Sequence, residues 1–401
     1  MNIFKKVLMR LSFLGLYKES GKDIVFIIVS SLFTVLVLLL PTGFENSGIQ
    51  SNTLKCKVRV LHVDNEYVRT MGPVKHGFQK LEVKVVSQGI FTGNKGNFKG
   101  NIYSAANDLT GRMEMDKIYS DGDYAYAVLT LADDNTFSMI RVMDHYRTDK
   151  TIILCVLFII LTILIMGWMG IKILLTFIFS ASMLIKVFYP MTLHGYDPLT
   201  GALAVTILIS AVIIFLVAGI SKRALCTFLG TAGGVLFTAV LSYIFTYWFK
   251  IHGAVRPFTE MLVYTGYGHL NLSHLFIAGV FIAASGAMMD LAMDVSAAMD
   301  EIKKQQPLIT KLQLMKSGYT VARQAAGTMS TTLLLAYSAE YTAMIMVFIA
   351  QGIPLENIIN MVWVSSEIIH TLVGCFGLIL VAPLTVFAGG MILGESSFPS
   401  P

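Results

Sequence analysis

The chain has 401 residues, 55% of them hydrophobic and 14% charged, with a net charge of +5. Soluble domains carry about a quarter charged residues, so this composition excludes a chain that is soluble throughout. It also argues against nucleic-acid binding, because no basic stripe interleaves with aromatics on a soluble face.

From the N-terminus, Lys5, Lys6 and Arg10 precede an apolar run from Ile24 to Leu40. The charged lead is long, and Pro41-Thr42-Gly43 offers no small-residue cleavage site, so the run is predicted to be an uncleaved anchor. Residues 42–149 then read like an ordinary soluble domain. Lys55-Cys56-Lys57-Val58-Arg59-Val60, Lys80-Leu81-Glu82-Val83-Lys84-Val85 and Tyr124-Ala125-Tyr126-Ala127-Val128 alternate at period two, as half-buried strands do. Turn signals fall between them at Gly93-Asn94, Gly96-Asn97 and Asp121-Gly122. A small antiparallel barrel is expected. Cys56 stands alone in it, so it has no internal disulfide, and no CxxC metal pattern exists. No nucleophile, base and orienter set occurs in the segment, which reads as a lid or docking module.

After Lys150 the charge nearly vanishes. A hydrocarbon core about 30 Å thick asks for roughly 20 apolar residues per helix. The predicted spans are 24–41, 150–168, 171–190, 200–219, 225–248, 274–298, 326–350 and 363–393. The second and third are separated only by the corner Gly167-Trp168-Met169-Gly170, and Pro383 marks a kink or an early end in the last. The fold class is thus an all-α polytopic membrane helical bundle of about eight transmembrane helices with an inserted small all-β domain. Its parts are 1–41 (N-terminus and first helix), 42–149 (β-rich insert) and 150–401 (seven-helix domain).

Lysine and arginine in short connections set the orientation. Lys5, Lys6, Arg10, Lys18 and Lys22 fall on one side with Lys172, Lys222, Arg223, Lys303, Lys304, Lys311, Lys316 and Arg323. The opposite short connections hold only Lys250 and Arg256. The positive-inside rule then puts both termini in the cytoplasm and residues 42–149 outside.

Acids inside spans are the candidate functional residues, since a carboxylate at mid-helix costs roughly 2.5–3.5 kcal/mol on insertion scales. Asp290 and Asp294 are four apart and share a helix face. That face continues through Gly286, Ala283 and Gly279 in one direction and Ala297, Ala298 and Glu301 in the other. Small residues permit close helix approach, so the stripe is expected to face protein. Two neighbouring carboxylates also make a site proton-sensitive. In the seventh span Thr328, Ser330, Thr331 and Thr332 lie at about the depth of Asp290. Their hydroxyls suit a hard cation or a hydronium path, or simply bond back to their own helix. Glu340 follows in the outer half, and the eighth span opens with Glu367 and His370 at i and i+3. That spacing is half of a di-metal motif, and no second copy appears. Ordered by depth, Glu367, His370, Glu340, Asp290 and Asp294 form a candidate ion or proton ladder, provided their helices are neighbours. His269 and His274, at the end of an outer loop, read as interfacial polar residues.

The stretches AASGAMMDLAMDVSAAMDEI at 283–302, GTMSTTLLLAYSAE at 327–340 and VGCFGLILVAPLT at 373–385 resemble the YibE/F-like family of bacterial multipass membrane proteins. The resemblance runs through the whole membrane part in the same order, and more weakly over the insert. In the family pattern an Asn often occupies the place held here by Thr331. The resemblance implies a helical bundle, an anchored outer domain and a bacterial cytoplasmic membrane. It implies no substrate, cofactor or catalytic residue.

Three functions are compatible with these features. A secondary transporter or permease component would be coupled to protons or cations through Asp290, assisted by Asp294 and Glu340. A scaffold or regulatory partner would dock another protein through its outer domain. A Mg²⁺-dependent intramembrane enzyme would use Asp290 and Asp294, with Glu301 nearby, although no HExxH, GxSxG or P-loop pattern is present. Arg or Lys caps on Asp290 and Glu340 favour the scaffold, and a wet cavity reaching them favours transport. The lipid bilayer is the one partner the composition itself implies.

Overall fold

In the insert, alternating apolar and charged residues can bury one face only as an antiparallel sheet. That is what the computed structural model contains; it describes residues 21–44, 53–88, 98–132 and 137–394. Six strands form it: β1 (Thr53–Asp64), β2 (Val68–Met71), β3 (Val74–Gln88), β4 (Ile102–Thr110), β5 (Tyr124–Leu131) and β6 (Phe137–His145). β1 is central. Its Val58 stands opposite Val85 of β3 on one side and Ala125 of β5 on the other. β6 extends the sheet beyond β5, while β2 and β4 pair with opposite edges of β3. The inward residues Leu54, Cys56, Val58, Val60, Leu81, Val83, Val85, Ala125, Ala127 and Leu129 are all buried. Burial pushes the Cys56 thiol up to about 12.

The expected barrel is not closed. Tyr103 of β4 stacks on Phe137 of β6 with ring centroids 4.1 Å apart, but no ladder joins these strands among the described residues. The edges meet through side chains instead of backbone hydrogen bonds, giving a half-barrel. The turns at Gly93-Asn94 and Gly96-Asn97 lie outside the described residues. The one at Asp121-Gly122 is present, with the Gly122 N–H donating to Val60 O over 2.9 Å.

One polar layer interrupts this core. Gln79 is 1% exposed, and its Nε2 donates to Asn65 Oδ1 (2.8 Å) and Tyr119 O (3.1 Å). Its Oε1 accepts from Asn107 Nδ2 (3.0 Å) and the Tyr119 N–H (3.0 Å). Helix α2 (Thr148–Met166) follows β6. Lys57 bonds Asp149 in the first turn of α2 over 2.5 Å, between the rings of Tyr124 and Tyr146. The hydrogen bond and charge of Asp149 raise the Lys57 ammonium above its ordinary value.

The chain divides into two compact units: residues 43–161, and residues 1–42 together with 162–401. The second unit is helical. It contains α1 (Gly21–Leu39), α3 (Trp168–Leu193, with a π-helical turn at Met183–Phe188), α4 (Pro198–Ala218) and α5 (Lys222–Trp248). The short α6 (Thr259–Leu262) leads to α7 (Leu272–Gln305). After it come α8 (Lys311–Glu340), α9 (Thr342–Ala350), α10 (Leu355–Asn360) and α11 (Val362–Ile392). Among the described residues six helices (α2, α3, α4, α5, α7 and α11) are long and apolar enough to cross a membrane, or seven if α8 and α9 count as one span. α1 is shorter, with Val25–Leu39 as its apolar part.

Two expectations need correction, and of the two alternatives at Pro383 the early end drops out. The predicted span 326–350 is not one straight helix, because α8 and α9 bend by 61° at Tyr341. Helix α11 runs through Pro383 without ending there; neighbouring helices can hold a proline in a membrane helix that would break a soluble one. The Asp290 stripe does not pack against a neighbour within the described residues. Gly279, Ala283, Asp290, Asp294 and Glu301 are exposed, and Gly286, Ala297 and Ala298 are half-buried.

The reason lies in the other faces of α7. Phe281, Ala284, Met288, Leu291, Ala292, Val295 and Met299 are fully buried against α4, α5, α8 and α11. Small residues line the buried side too, so their presence did not mark which face is covered. Helices α5 and α11 approach each other closely through glycines. A Cβ on Gly230 would stand 2.0 Å from Thr385 Oγ1, and one on Gly377 would stand 1.8 Å from Thr238 Oγ1. The corner between α2 and α3 forms as expected, with Gly167 at a φ of 56° that favours glycine.

Candidate functional site

The bend at Tyr341 lies beside a cluster of charged and aromatic groups. Arg256, in the connection between α5 and α6, reaches three of them. Its Nη1 donates to Tyr341 Oη over 2.6 Å. Its guanidinium also lies 3.8 Å from Glu340 Oε2 and 3.6 Å from Glu367 Oε2. Glu340 ends α8 and is exposed, whereas Glu367, in the second turn of α11, is 8% exposed.

Around Glu367 the contacts are loose. His370 Nδ1 is 3.3 Å from Glu367 Oε1, and Thr371 Oγ1 donates to the same oxygen over 3.5 Å. Glu367 Oε2 has no hydrogen-bond partner among the described residues, nor does the buried Tyr337 hydroxyl. The Tyr337 ring packs on His370, 4.2 Å between centroids. A cavity of about 270 Å³ between α8, α9 and α11 has Glu367, Thr371 and Tyr341 in its wall. A second, of about 510 Å³, contains Arg256, Tyr341 and Trp363.

Other expected positions separate from this cluster. Asp290 and Asp294 make no ion pair among the described residues. The hydroxyls of Thr328, Thr331 and Thr332 donate to Ala325 O, Gly327 O and Thr328 O of their own helix. Of the depth-ordered ladder, Glu340 and Glu367 meet at Arg256 with His370 beside Glu367, and the two aspartates do not join them. No group of three or more His, Cys, Asp or Glu side chains among the described residues is arranged to hold a metal ion.

Two residues of importance entered the sequence reading only in passing. In the sequence Arg256 bears on orientation alone, yet in the fold it is the cation that Glu340 and Glu367 share. His274, in the first turn of α7, forms a short hydrogen bond with Asp197, the N-cap residue of α4. Asp197 Oδ2 also accepts from the Thr200 N–H over 3.0 Å, and these bonds outweigh burial and hold its carboxyl below the usual range.

Long apolar helices packed on one another, in a chain that also carries a β-rich unit, are those of a multipass helical membrane protein. The YibE/F-like protein family matches residues 154–395, and the chain belongs to that family. No curated protein and no solved structure matches the chain. Membership of the family brings no substrate and no transport activity.

Proposed function

We propose that the protein is a secondary transporter or permease component coupled to protons or cations, with Glu367 as the coupling carboxylate. The observation that carries this reading is Glu367 Oε2, which has no hydrogen bond among the described residues and only the Arg256 guanidinium 3.6 Å away, buried at a cavity wall beside a broken helix. A structural carboxylate in such a place is normally closed by short bonds, because leaving a buried acceptor unmet costs about 1–3 kcal/mol. Discontinuous helices beside polar sites recur in secondary transporters. His370 is the neighbour able to exchange a proton with Glu367, and Arg256 holds the charge balance.

In this reading the coupling role passes from Asp290 to Glu367. Asp290, Asp294, Thr328, Thr331 and Thr332 lie along an outer face with no assigned step. Counting α1 and the bent α8–α9 pair as spans keeps the total at eight. On positive-inside grounds both termini are then cytoplasmic and residues 42–149 lie outside a bacterial cytoplasmic membrane. The pairing of Arg256 with Glu340 favours a second reading, a scaffold whose outer domain docks a protein partner.

The test is reconstitution of the full chain into liposomes carrying an internal pH indicator, challenged with a panel of small solutes across a pH gradient. Solute-dependent proton movement is expected in the native protein and absent in Glu367→Gln, with the variant still folded. Equal flux in Glu367→Gln removes the assignment, and no flux with any solute favours the scaffold.

A further inference from the structure

Arg256 is under-used. A guanidinium carries five N–H donors, and among the described residues Arg256 makes one hydrogen bond, to Tyr341. Its two carboxylate neighbours stand at 3.6 and 3.8 Å, beyond the 2.7–2.9 Å or so at which charged pairs bond directly. The side chain opens onto the cavity of about 510 Å³, whose other walls include Phe258, Met261, Met344 and Trp363. The acid at that cavity, Glu260, accepts from the Tyr264 hydroxyl over 3.0 Å. A pocket with apolar and aromatic walls and one cation with free donors fits an anion that carries an apolar body.

From this we infer that the cavity beside Arg256 binds an amphipathic organic anion, and that its binding to Arg256 transfers one proton from water to Glu367. The inference rests on the permease reading above and adds a substrate class to it. Arg256, Glu340 and Glu367 together carry one positive and two negative charges. An entering carboxylate that bonds Arg256 directly draws the guanidinium away from Glu367, whose Oε2 has no hydrogen bond among the described residues and so loses its charged neighbour. One more negative charge enters, and one proton on Glu367 Oε2 restores the original net charge. Anion and proton would therefore move together. Tyr341, which lines both cavities and bonds Arg256, stands between the anion pocket and the chamber holding Glu367.

The chain has three tryptophans, so in a Trp168→Phe, Trp248→Phe background the emission of Trp363 reports on the cavity. The purified full chain would be titrated with benzoate, benzamide and benzylamine, three probes of similar shape and different charge. Benzoate is expected to give saturable quenching, with the other two roughly tenfold weaker or worse. A pH indicator in weak buffer should record one proton taken up per benzoate bound. Arg256→Gln should weaken benzoate at least about tenfold, and Glu367→Gln should bind it without proton uptake. Should Arg256→Gln fail to fold, Glu340→Gln serves instead: losing a competitor for Arg256 should tighten benzoate binding. Benzylamine binding as well as benzoate, or unchanged affinity in Arg256→Gln, or in Glu340→Gln where that variant stands in, overturns the inference. So does benzoate binding without proton uptake. Benzoate binding with proton uptake but no benzoate flux in liposomes removes the permease reading alone. Proton-coupled flux of another solute, in a protein indifferent to benzoate, removes the inference alone.

Discussion

Gln79 and Glu367 are both long polar side chains buried in apolar surroundings, one in the half-barrel and the other in the helical unit. Gln79 has two bonds from its nitrogen and two to its oxygen, all between 2.8 and 3.1 Å. Glu367 has neighbours at 3.3, 3.5 and 3.6 Å and one oxygen without a hydrogen bond. Burial alone therefore does not mark a working residue. A saturated polar group locks its surroundings in one arrangement, whereas an under-bonded one keeps the capacity to change partner or protonation state.

The largest structural effect that would sharpen this contrast belongs to the saturated member. Replacing Gln79 with Leu leaves the buried Tyr119 N–H without its acceptor and takes away one bond of Asn107. At about 1–3 kcal/mol for each buried group left unmet, a loss on the order of 3 kcal/mol is expected. Amide hydrogen exchange in the full chain should show it as lost protection across β3 and β4. Native protection in that variant would mean that the Gln79 layer is not locking the sheet.

A smaller effect is expected from Asp116, a half-buried acid of the same unit. The Thr110 N–H is the first cause of its lowered carboxyl value; the Thr110 hydroxyl and the Gly111 N–H act in the same direction. Because the folded value lies below the ordinary 3.8, this stabilisation is fully present above about pH 5. It is lost as pH falls through 3.8 and on through the folded value. Asp116→Asn should flatten that acid limb when exchange at Thr110 and Gly111 is followed between about pH 2 and 6. An unchanged limb would show that these bonds form equally well to a neutral side chain.

The two units also differ in how much could be read beforehand. Lys55–Val60, Lys80–Val85 and Tyr124–Val128 were legible as strands because period two leaves one choice of buried face. In the helices, α7 carries small residues on several faces, so Ala283 and Gly286 looked as coverable as Ala284 and Ala292, although only the latter pair is buried. Glu340, Glu367 and His370 were legible as costly residues. Their meeting point was not, because Arg256 lies 84 residues before Glu340 (340 − 256) and the bend at Tyr341 has no glycine or proline to announce it. Tyr341 is followed by an unbroken apolar run, Thr342–Ala350, which on composition alone continues the helix.

The smallest effect is expected at Asp290, and it bears most directly on where coupling resides. Asp290 has a like-charged neighbour one turn away in Asp294, lies on the exposed face of α7, and has no cation paired with it among the described residues. Glu367 has a cation, a histidine and a cavity. If an acid works because its surroundings can take up and release its charge, Asp290→Asn should change proton-coupled flux in liposomes by less than about twofold, within the range of an exposed, weakly coupled charge. A collapse of flux in Asp290→Asn with normal flux in Glu367→Gln would reverse the assignment. The α7 face would then have to be covered by something that supplies the lining it lacks here, and the loose contacts of Glu367 would be those of a joint between α11 and the broken helix.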